Sequence, residues 1–196
     1  MAATRLSRIA LLAMACALPI AASAEVTLHG IKYEDSVTVG GSKLQLNGVG
    51  TRYKGPFKVY TAGIYLGKKA ATLEDFLAQP GPKRMSVVSL RDIDAGELGK
   101  MFIRGVEDNM DRAAMSKLIP GLMRMSQIFS EHKRLGAGDQ FTIDWIPGTG
   151  TVVSVRGVPQ GEPFKEPEFF NALMRIWLGP VPADWKLKDS LLGKPA

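Results

Sequence analysis

The sequence predicts an α+β fold built on a large antiparallel sheet. Stretches with strand character come first, helices follow, a hairpin comes next, and helices close the chain. Because strands and helices do not alternate regularly, this order disfavours a doubly wound parallel sheet. With 196 residues, of which 45% are hydrophobic and 22% charged, the chain is long and apolar enough to bury a core. No internal linker is evident, so we expect a single domain after the N-terminal segment.

The N-terminal segment 1–24 is typical of a secretory signal peptide. Arg5 and Arg8 supply a positively charged start, and residues 9–20 form an apolar stretch. Ala22-Ser23-Ala24 has the small residues of a cleavage site. We therefore expect cleavage after Ala24 and a periplasmic protein without a membrane span in the mature chain.

Cleavage would leave a domain at residues 25–196 and remove Cys16, the single cysteine of the chain. A cysteine-free domain suits an oxidising compartment. Two Arg of the 25 basic residues would be lost and the 19 acidic residues kept, so the net charge falls from +6 to +4. Basic and acidic residues alternate along the chain, which argues against a nucleic-acid-binding surface.

The first half of the domain predicts mainly strands, because short segments rich in β-branched and aromatic residues are separated by turn residues. The predicted strands are 26–28, 36–39, 43–46, 57–66 and 83–90. Gly40-Gly41 predicts the turn of a hairpin, and Asn47-Gly48-Val49-Gly50 predicts a turn or a bulge. Further along, 139–146 and 151–155 predict a second hairpin around Pro147-Gly148-Thr149-Gly150.

Helix boundaries follow from capping residues and apolar periodicity. Thr72 is the predicted N-cap of a short helix that ends before Pro80, and Asp94 caps a helix that runs to about Asp111. Ile119-Pro120 predicts the start of the next helix, because Pro is favoured at the first helical position. The last predicted helices cover 166–177 and 184–192.

Several common site motifs are missing from the mature sequence. Gly48-Val49-Gly50 is not a dinucleotide fingerprint, because Tyr53 replaces the third glycine and a strand follows. His29 and His132 are the two histidines, and their spacing predicts no metal site. The mature chain has neither a G-x-S-x-G elbow nor a cysteine nucleophile, and the sequence predicts no cofactor.

Arg52, Tyr60 and Thr61 are the candidate ligand-binding residues. Arg52 follows Gly50 at the bend into a long strand, where a guanidinium could receive a carboxylate or a phenolate with charge-assisted bonds. A solvated or ion-paired surface position is the alternative for Arg52. Because neighbouring strand residues point to opposite faces, only one of Tyr60 and Thr61 can line an inward pocket, and the pattern alone does not say which.

Taken together, the segments resemble the chalcone isomerase-like superfamily in its bacterial secreted branch. The segments that carry the resemblance are 46–52 (LNGVGTR), 57–60 (FKVY), 64–66 (IYL), 90–92 (LRD), 103–105 (IRG), 176–179 (IWLG) and 191–193 (LLG). The resemblance implies an open-faced β-sandwich, in which helices cover a large antiparallel sheet and leave a cleft.

The resemblance also implies two possible functions. Plant members close a hydroxychalcone to a flavanone by intramolecular conjugate addition, and their Arg, which stabilises the phenolate, matches Arg52. Other members bind fatty acids without catalysis and hold the carboxylate with the same Arg and a Tyr. The strand Thr of the catalytic members falls at Tyr60, or at Thr61 after a one-residue shift. Their catalytic Tyr and Asn have no counterpart in 111–125, which contains neither residue type.

We therefore carry three hypotheses. The leading one is a periplasmic protein that binds a small apolar acid or phenol, fatty-acid-like or polyphenol-like, in a cleft with Arg52. The second is an isomerase, an intramolecular lyase that acts on a chalcone-like enone and uses Arg52 as its catalytic residue. The third is a non-catalytic scaffold whose surface meets a protein partner that the sequence does not name.

Overall fold

The computed structural model describes residues 25–194, so the predicted signal segment 1–24 lies outside the described residues. The strands are β1 (Glu25–Leu28), β2 (Ile31–Glu34), β3 (Ser36–Val39), β4 (Ser42–Lys54), β5 (Phe57–Leu66), β6 (Lys83–Ser89), β7 (Ile93–Asp94), β8 (Arg134–Leu135), β9 (Gln140–Ile146), β10 (Gly150–Val155) and β11 (Val158–Pro159). A seven-stranded antiparallel sheet, in the order β11-β10-β9-β6-β5-β4-β3, forms the framework of the described chain.

The helices are α1 (Leu73–Ala78), α2 (Ala95–Glu107), α3 (Arg112–Ser130), α4 (Pro167–Leu178) and α5 (Trp185–Leu191). Both predicted N-caps are confirmed. The Thr72 hydroxyl accepts from the Asp75 amide at 3.0 Å, and Asp94 Oδ1 accepts from the Glu97 amide at 3.0 Å. Each side chain thereby satisfies an amide that has no partner within its own helix.

The predicted start of a helix at Ile119-Pro120 is wrong. α3 begins seven residues before Ile119, where Asp111 Oδ1 accepts from the Ala114 amide at 2.8 Å, and Pro120 lies inside the helix. Proline removes one intrahelical hydrogen bond, but here its ring is exposed, while Leu118 and Leu122 are buried on either side of it. Packing of this apolar stripe outweighs the local preference of Pro for a first turn.

The sheet has two differently covered faces. The helices pack on one face around a core of aromatic rings, in which Phe102 lies 5.2 Å from Phe129 and 6.0 Å from Trp177 between ring centres. The β1–β2 hairpin lies on the other face and covers a smaller cluster that includes Tyr33 and Tyr65. The α+β class, with helices covering a large antiparallel sheet, is confirmed.

The predicted turn or bulge at 47–50 is a bulge within β4. The pairing register with β5 shifts between Leu46 and Gly48, so Asn47 stands outside the ladder. Its buried amide group donates to the carbonyls of Ala70 at 2.9 Å and Leu191 at 2.8 Å, and accepts from the Ala70 amide at 2.7 Å. Asn47 therefore ties the end of α5 to the sheet.

Gly48 and Gly50 allow α5 to lie directly against β4. A Cβ added to Gly48 would stand 2.0 Å from the Ser190 carbonyl oxygen, and one added to Gly50 would stand 2.7 Å from the Ser190 Cβ. Both distances are too short for any real side chain. The G-x-G pattern thus serves close packing of a helix on a strand rather than binding of a phosphate.

We predict that Gly48→Ala lowers the free energy of unfolding by about 1–3 kcal/mol, because the new methyl group must push the backbone of α5 away from β4. Urea denaturation measures this change. Gly67→Ala is the matched control, since a Cβ at Gly67 would meet nothing within 4 Å; it should stay within about 0.5 kcal/mol of the wild type. Equal stabilities of the two variants would contradict the close-packing argument.

Candidate ligand-binding site

A cavity of about 270 Å³ lies between the inner face of the sheet and the helices α2 and α4. This volume is just below the range of typical ligand pockets, so the cavity suits a small molecule. Its lining is mainly apolar, with charged residues in addition. The lining residues are Arg52, Lys54, Val59, Tyr60, Leu98, Met101, Phe102, Arg104, Gly105, Asp108, Phe141, Ile176, Trp177, Val181, Pro182 and Ala183.

Arg52 reaches this cavity because it follows Gly50 by two positions and shares its face of β4. The side chain is 26% exposed. Its Nη1 group donates to the carbonyl oxygen of Tyr53 and, at 3.4 Å, to Oδ2 of Asp184. The guanidinium also lies close enough to the Tyr60 hydroxyl for a hydrogen bond that lowers the pKa of Tyr60, but these contacts do not use all five of its N–H donors. The guanidinium therefore keeps hydrogen-bond donors for a ligand.

Asp184 holds Arg52 in place and is itself held by three backbone amides. It is the N-cap of α5, where Oδ1 accepts from Lys186 at 2.9 Å and from Leu187 at 3.1 Å. Oδ2 accepts from the Tyr53 amide at 3.1 Å, and the side chain is only 13% exposed. The carboxylate that pairs with Arg52 is thus part of the packed structure and not a mobile surface group.

Tyr60 supplies a second polar group in the cavity. It pairs directly with Arg52 across β4 and β5, and its buried hydroxyl accepts from Trp177 Nε1 at 2.9 Å. Within the described chain, the Tyr60 hydroxyl donates to no acceptor, so its proton is available to a ligand. Burial raises the pKa of Tyr60 to about 12, although the Trp177 hydrogen bond and the positive charge of Arg52 both lower it. The hydroxyl is therefore a neutral donor at physiological pH.

Thr61 does not fit the expected ligand-binding role, because the structure places it on the opposite face of the sheet. Its hydroxyl is fully buried and accepts from the Tyr33 hydroxyl at 2.8 Å, beneath the β1–β2 hairpin. Thr61 is absent from the cavity lining. Because adjacent strand residues alternate in direction, the face that brings Tyr60 to the cavity turns Thr61 away from it.

Two residues that shape the site were not singled out as candidates in the sequence. Trp177 belongs to the segment 176–179, and nothing in the sequence pattern indicates that its indole N–H donates to a group in the site. Asp184 could be recognised as a helix start, but its contact with Arg52 joins residues 132 positions apart. Neither contact follows from local pattern.

The histidines have local roles in the structure. The ring of His29 lies 3.1 Å from the Thr51 hydroxyl and 3.1 Å from the Lys58 ammonium, and His132 lies 3.0 Å from the Gln160 side-chain oxygen. Within residues 25–194, no group of three His, Cys, Asp or Glu side chains could hold a metal ion. No helix in this part of the chain is long and apolar enough to cross a membrane.

The fold and the cavity define an α+β protein in which helices cover one face of an antiparallel sheet and enclose a ligand-sized space. The sequence matches the family described as chalcone isomerase-like over residues 25–193, and the chain belongs to this family. No curated protein sequence matches it.

Among solved structures, the fold is similar to that of a fatty-acid binding protein from Arabidopsis thaliana, with a TM-score of 0.69. The two chains share 15% sequence identity, and the similarity covers 86% of this chain and 96% of the plant chain. At this identity the likeness shows the fold.

We predict that Tyr60 makes the protein less stable in alkali. A buried tyrosine whose pKa is raised to about 12 keeps its proton in the folded state, while the unfolded chain ionises near pH 10. The unfolded state therefore binds fewer protons above pH 10, and stability falls as the pH rises. From pH 9 to pH 11, Tyr60 should account for a loss of about 1.4 kcal/mol.

Urea denaturation at both pH values, with the wild type and Tyr60→Phe, measures this contribution. Tyr60→Phe should lose correspondingly less stability between the two pH values, even if it is less stable than the wild type at each. Tyr53→Phe is the control, since the Tyr53 side chain is exposed; it should follow the wild type. A wild-type profile in Tyr60→Phe would refute the buried, protonated hydroxyl.

Proposed function

We propose that the protein binds a small apolar acid, with the acid group at Arg52 and Tyr60 and the apolar part in the cavity. One observation carries this proposal: two groups with available hydrogen-bond donors, a guanidinium and a neutral phenol, face the same apolar cavity. A carboxylate can accept from both, and a charge-assisted bond to Arg is strong in a partly dry site.

The apolar part of the ligand would lie against Phe102, Phe141 and Trp177, whose rings form one wall of the cavity. An aliphatic chain or an aromatic ring would displace water from this wall, which favours binding. The similar plant structure is that of a protein named for binding fatty acids, and this supports a fatty-acid-like ligand. The open space itself argues against a scaffold whose cleft is filled by its own side chains.

The second candidate is an isomerase that closes a chalcone-like enone. The position of Arg52 at a cavity with aromatic walls favours it, because a phenolate could lie there as a nucleophile. The stretch 111–125, where the resemblance expects a catalytic Tyr and Asn, contains neither residue type and contributes nothing to the cavity lining. We therefore rank binding before catalysis and treat Arg52 first as a ligand-binding residue.

We further propose that the protein belongs to the secreted bacterial branch of the family and acts in the periplasm. The pattern of residues 1–24 supports this, and the matched family segment starts at Glu25, directly after the predicted cleavage site.

We predict that Arg52→Ala weakens binding of decanoic acid about tenfold to a hundredfold, because one charge-assisted hydrogen bond contributes roughly 1.5–3 kcal/mol. Arg52→Lys should restore part of this affinity, since an ammonium lacks the planar two-pronged donor set. Tyr60→Phe should cost about threefold to tenfold, the value of a neutral hydrogen bond. Isothermal titration calorimetry measures the affinity of the wild type and the three variants for decanoic acid.

The methyl ester of decanoic acid is the matched control ligand for charge, and its affinity should be nearly the same for the wild type and the two Arg52 variants. Arg104→Ala is the control variant for charge, because Arg104 lines the cavity but its side chain is 83% exposed; it should change acid binding less than Arg52→Ala. If acid and ester bind equally, or if Arg52→Ala binds the acid like the wild type, the proposed anion site is wrong.

We predict that protein isolated from the periplasm begins at Glu25, because cleavage follows Ala22-Ser23-Ala24. Intact-mass spectrometry of the full-length gene product, expressed in a Gram-negative host and fractionated, measures the N-terminus. A mass that includes residues 1–24 would contradict the prediction. An acyl chain on Cys16 would instead indicate a lipoprotein and would equally refute it.

A further inference from the structure

Four large, exposed apolar side chains lie on or next to the segments that line the cavity, and we call them the rim patch: Phe57, Met101, Val181 and Trp185. Met101 and Val181 are themselves part of the cavity lining. Phe57 pairs with the lining residue Lys54 at the β4–β5 turn, and paired residues of an antiparallel ladder point to the same face.

Trp185 lies near the start of the α4–α5 loop because both contact Lys188. The Lys188 ammonium lies 5.0 Å from the centre of the Trp185 ring and donates to the Gly179 carbonyl at 2.8 Å. This keeps the indole next to the α4–α5 loop that carries Val181. Trp185 also directly follows Asp184, the partner of Arg52. The rim patch therefore draws on β5, α2, the α4–α5 loop and α5, which all lie next to the cavity or to Arg52.

The charges around the rim patch are predominantly positive. Lys54 and Arg104 line the opening, and the Arg91 guanidinium lies 5.8 Å from the centre of the Phe57 ring. Of the acids at the opening, Asp108 lies 3.8 Å from Arg104, and the largely buried Asp184 pairs with Arg52. The outward-facing charge is thus basic and lies among aromatic and aliphatic side chains.

We propose that the rim patch docks the protein on an anionic lipid surface, with the cavity opening against the bilayer. Exposed Trp and Phe side chains favour the interface between lipid and water, and Lys and Arg favour anionic headgroups. The patch matches such a surface in both respects, because Phe57 and Trp185 each have a cation near the ring and Lys54 and Arg104 line the same cavity. This arrangement extends the proposed function, since an apolar acid dissolved in a bilayer would meet the cavity directly.

Vesicle binding tests this proposal without any ligand, so its result is separate from that of the fatty-acid titration. The full chain from residue 25 onward is sedimented with vesicles of phosphatidylcholine alone and with vesicles that also contain phosphatidylglycerol. We expect clear binding to the anionic vesicles and weak binding to the neutral ones. The double variant Phe57→Ser/Trp185→Ser should lower the partition coefficient about tenfold or more, because it removes the two aromatic anchors.

Arg91→Gln removes one cation at the rim patch without touching the cavity, and should weaken binding to anionic vesicles about fivefold and to neutral vesicles not at all. Val158→Ser is the matched control, because Val158 is 60% exposed, like Trp185, but lies on the edge strand β11. It should bind like the wild type. Circular dichroism checks that each variant is folded.

Three results would overturn the proposal. The wild type could fail to bind anionic vesicles, or Val158→Ser could lose as much binding as the double variant. Analytical ultracentrifugation could also show a wild-type dimer that Phe57→Ser/Trp185→Ser dissociates, in which case a second copy of the chain covers the rim patch.

Discussion

The contact between α5 and β4 is the constraint on which the candidate site depends. Gly48 and Gly50 let the helix backbone approach the strand more closely than any side chain would allow, and the bulged Asn47 ties the end of α5 to β4. This places Asp184, the N-cap of α5, in contact with the side chain of Arg52 and the backbone amide of Tyr53. The guanidinium of Arg52 is thereby held at the cavity before any ligand arrives, so a ligand need not pay the full entropy of ordering it.

The same arrangement explains how the proposed anion site is compatible with a fixed carboxylate. Asp184 accepts from three backbone amides and contacts a single nitrogen of Arg52, at 3.4 Å. Its negative charge is therefore shared among several donors, and the other edge of the guanidinium remains available. The Tyr60 hydroxyl supplies a second donor beside this edge. Its oxygen accepts from Trp177 Nε1, which leaves the hydroxyl proton for a ligand. The result is a small polar end to a mainly apolar cavity, which is the pattern of a site for an amphiphilic molecule.

Much of the fold could be predicted from the sequence, because its signals are local. Enrichment in Tyr, Val and Ile predicted β5 with its observed bounds, 57–66, and side-chain oxygens at Thr72 and Asp94 predicted two helix starts. Local signals failed where packing outweighs them. Pro120 is typical of a first helical turn, yet it lies inside α3, because buried leucines on both sides and the cap at Asp111 extend the helix through it.

The sequence by itself determined the α+β class and the strand that carries Tyr60 and Thr61, and the resemblance made Arg52 a candidate site residue. Only the tertiary structure decided which neighbour faces the cavity. A one-residue change of register reverses the direction of every side chain in a strand, and the register of β5 is set by its pairing with β4 and β6, not by its own residues. The partners of Arg52 and Tyr60 were equally beyond the sequence, since Asp184 and Trp177 lie more than a hundred positions away and meet them only when α4 and α5 pack on the sheet.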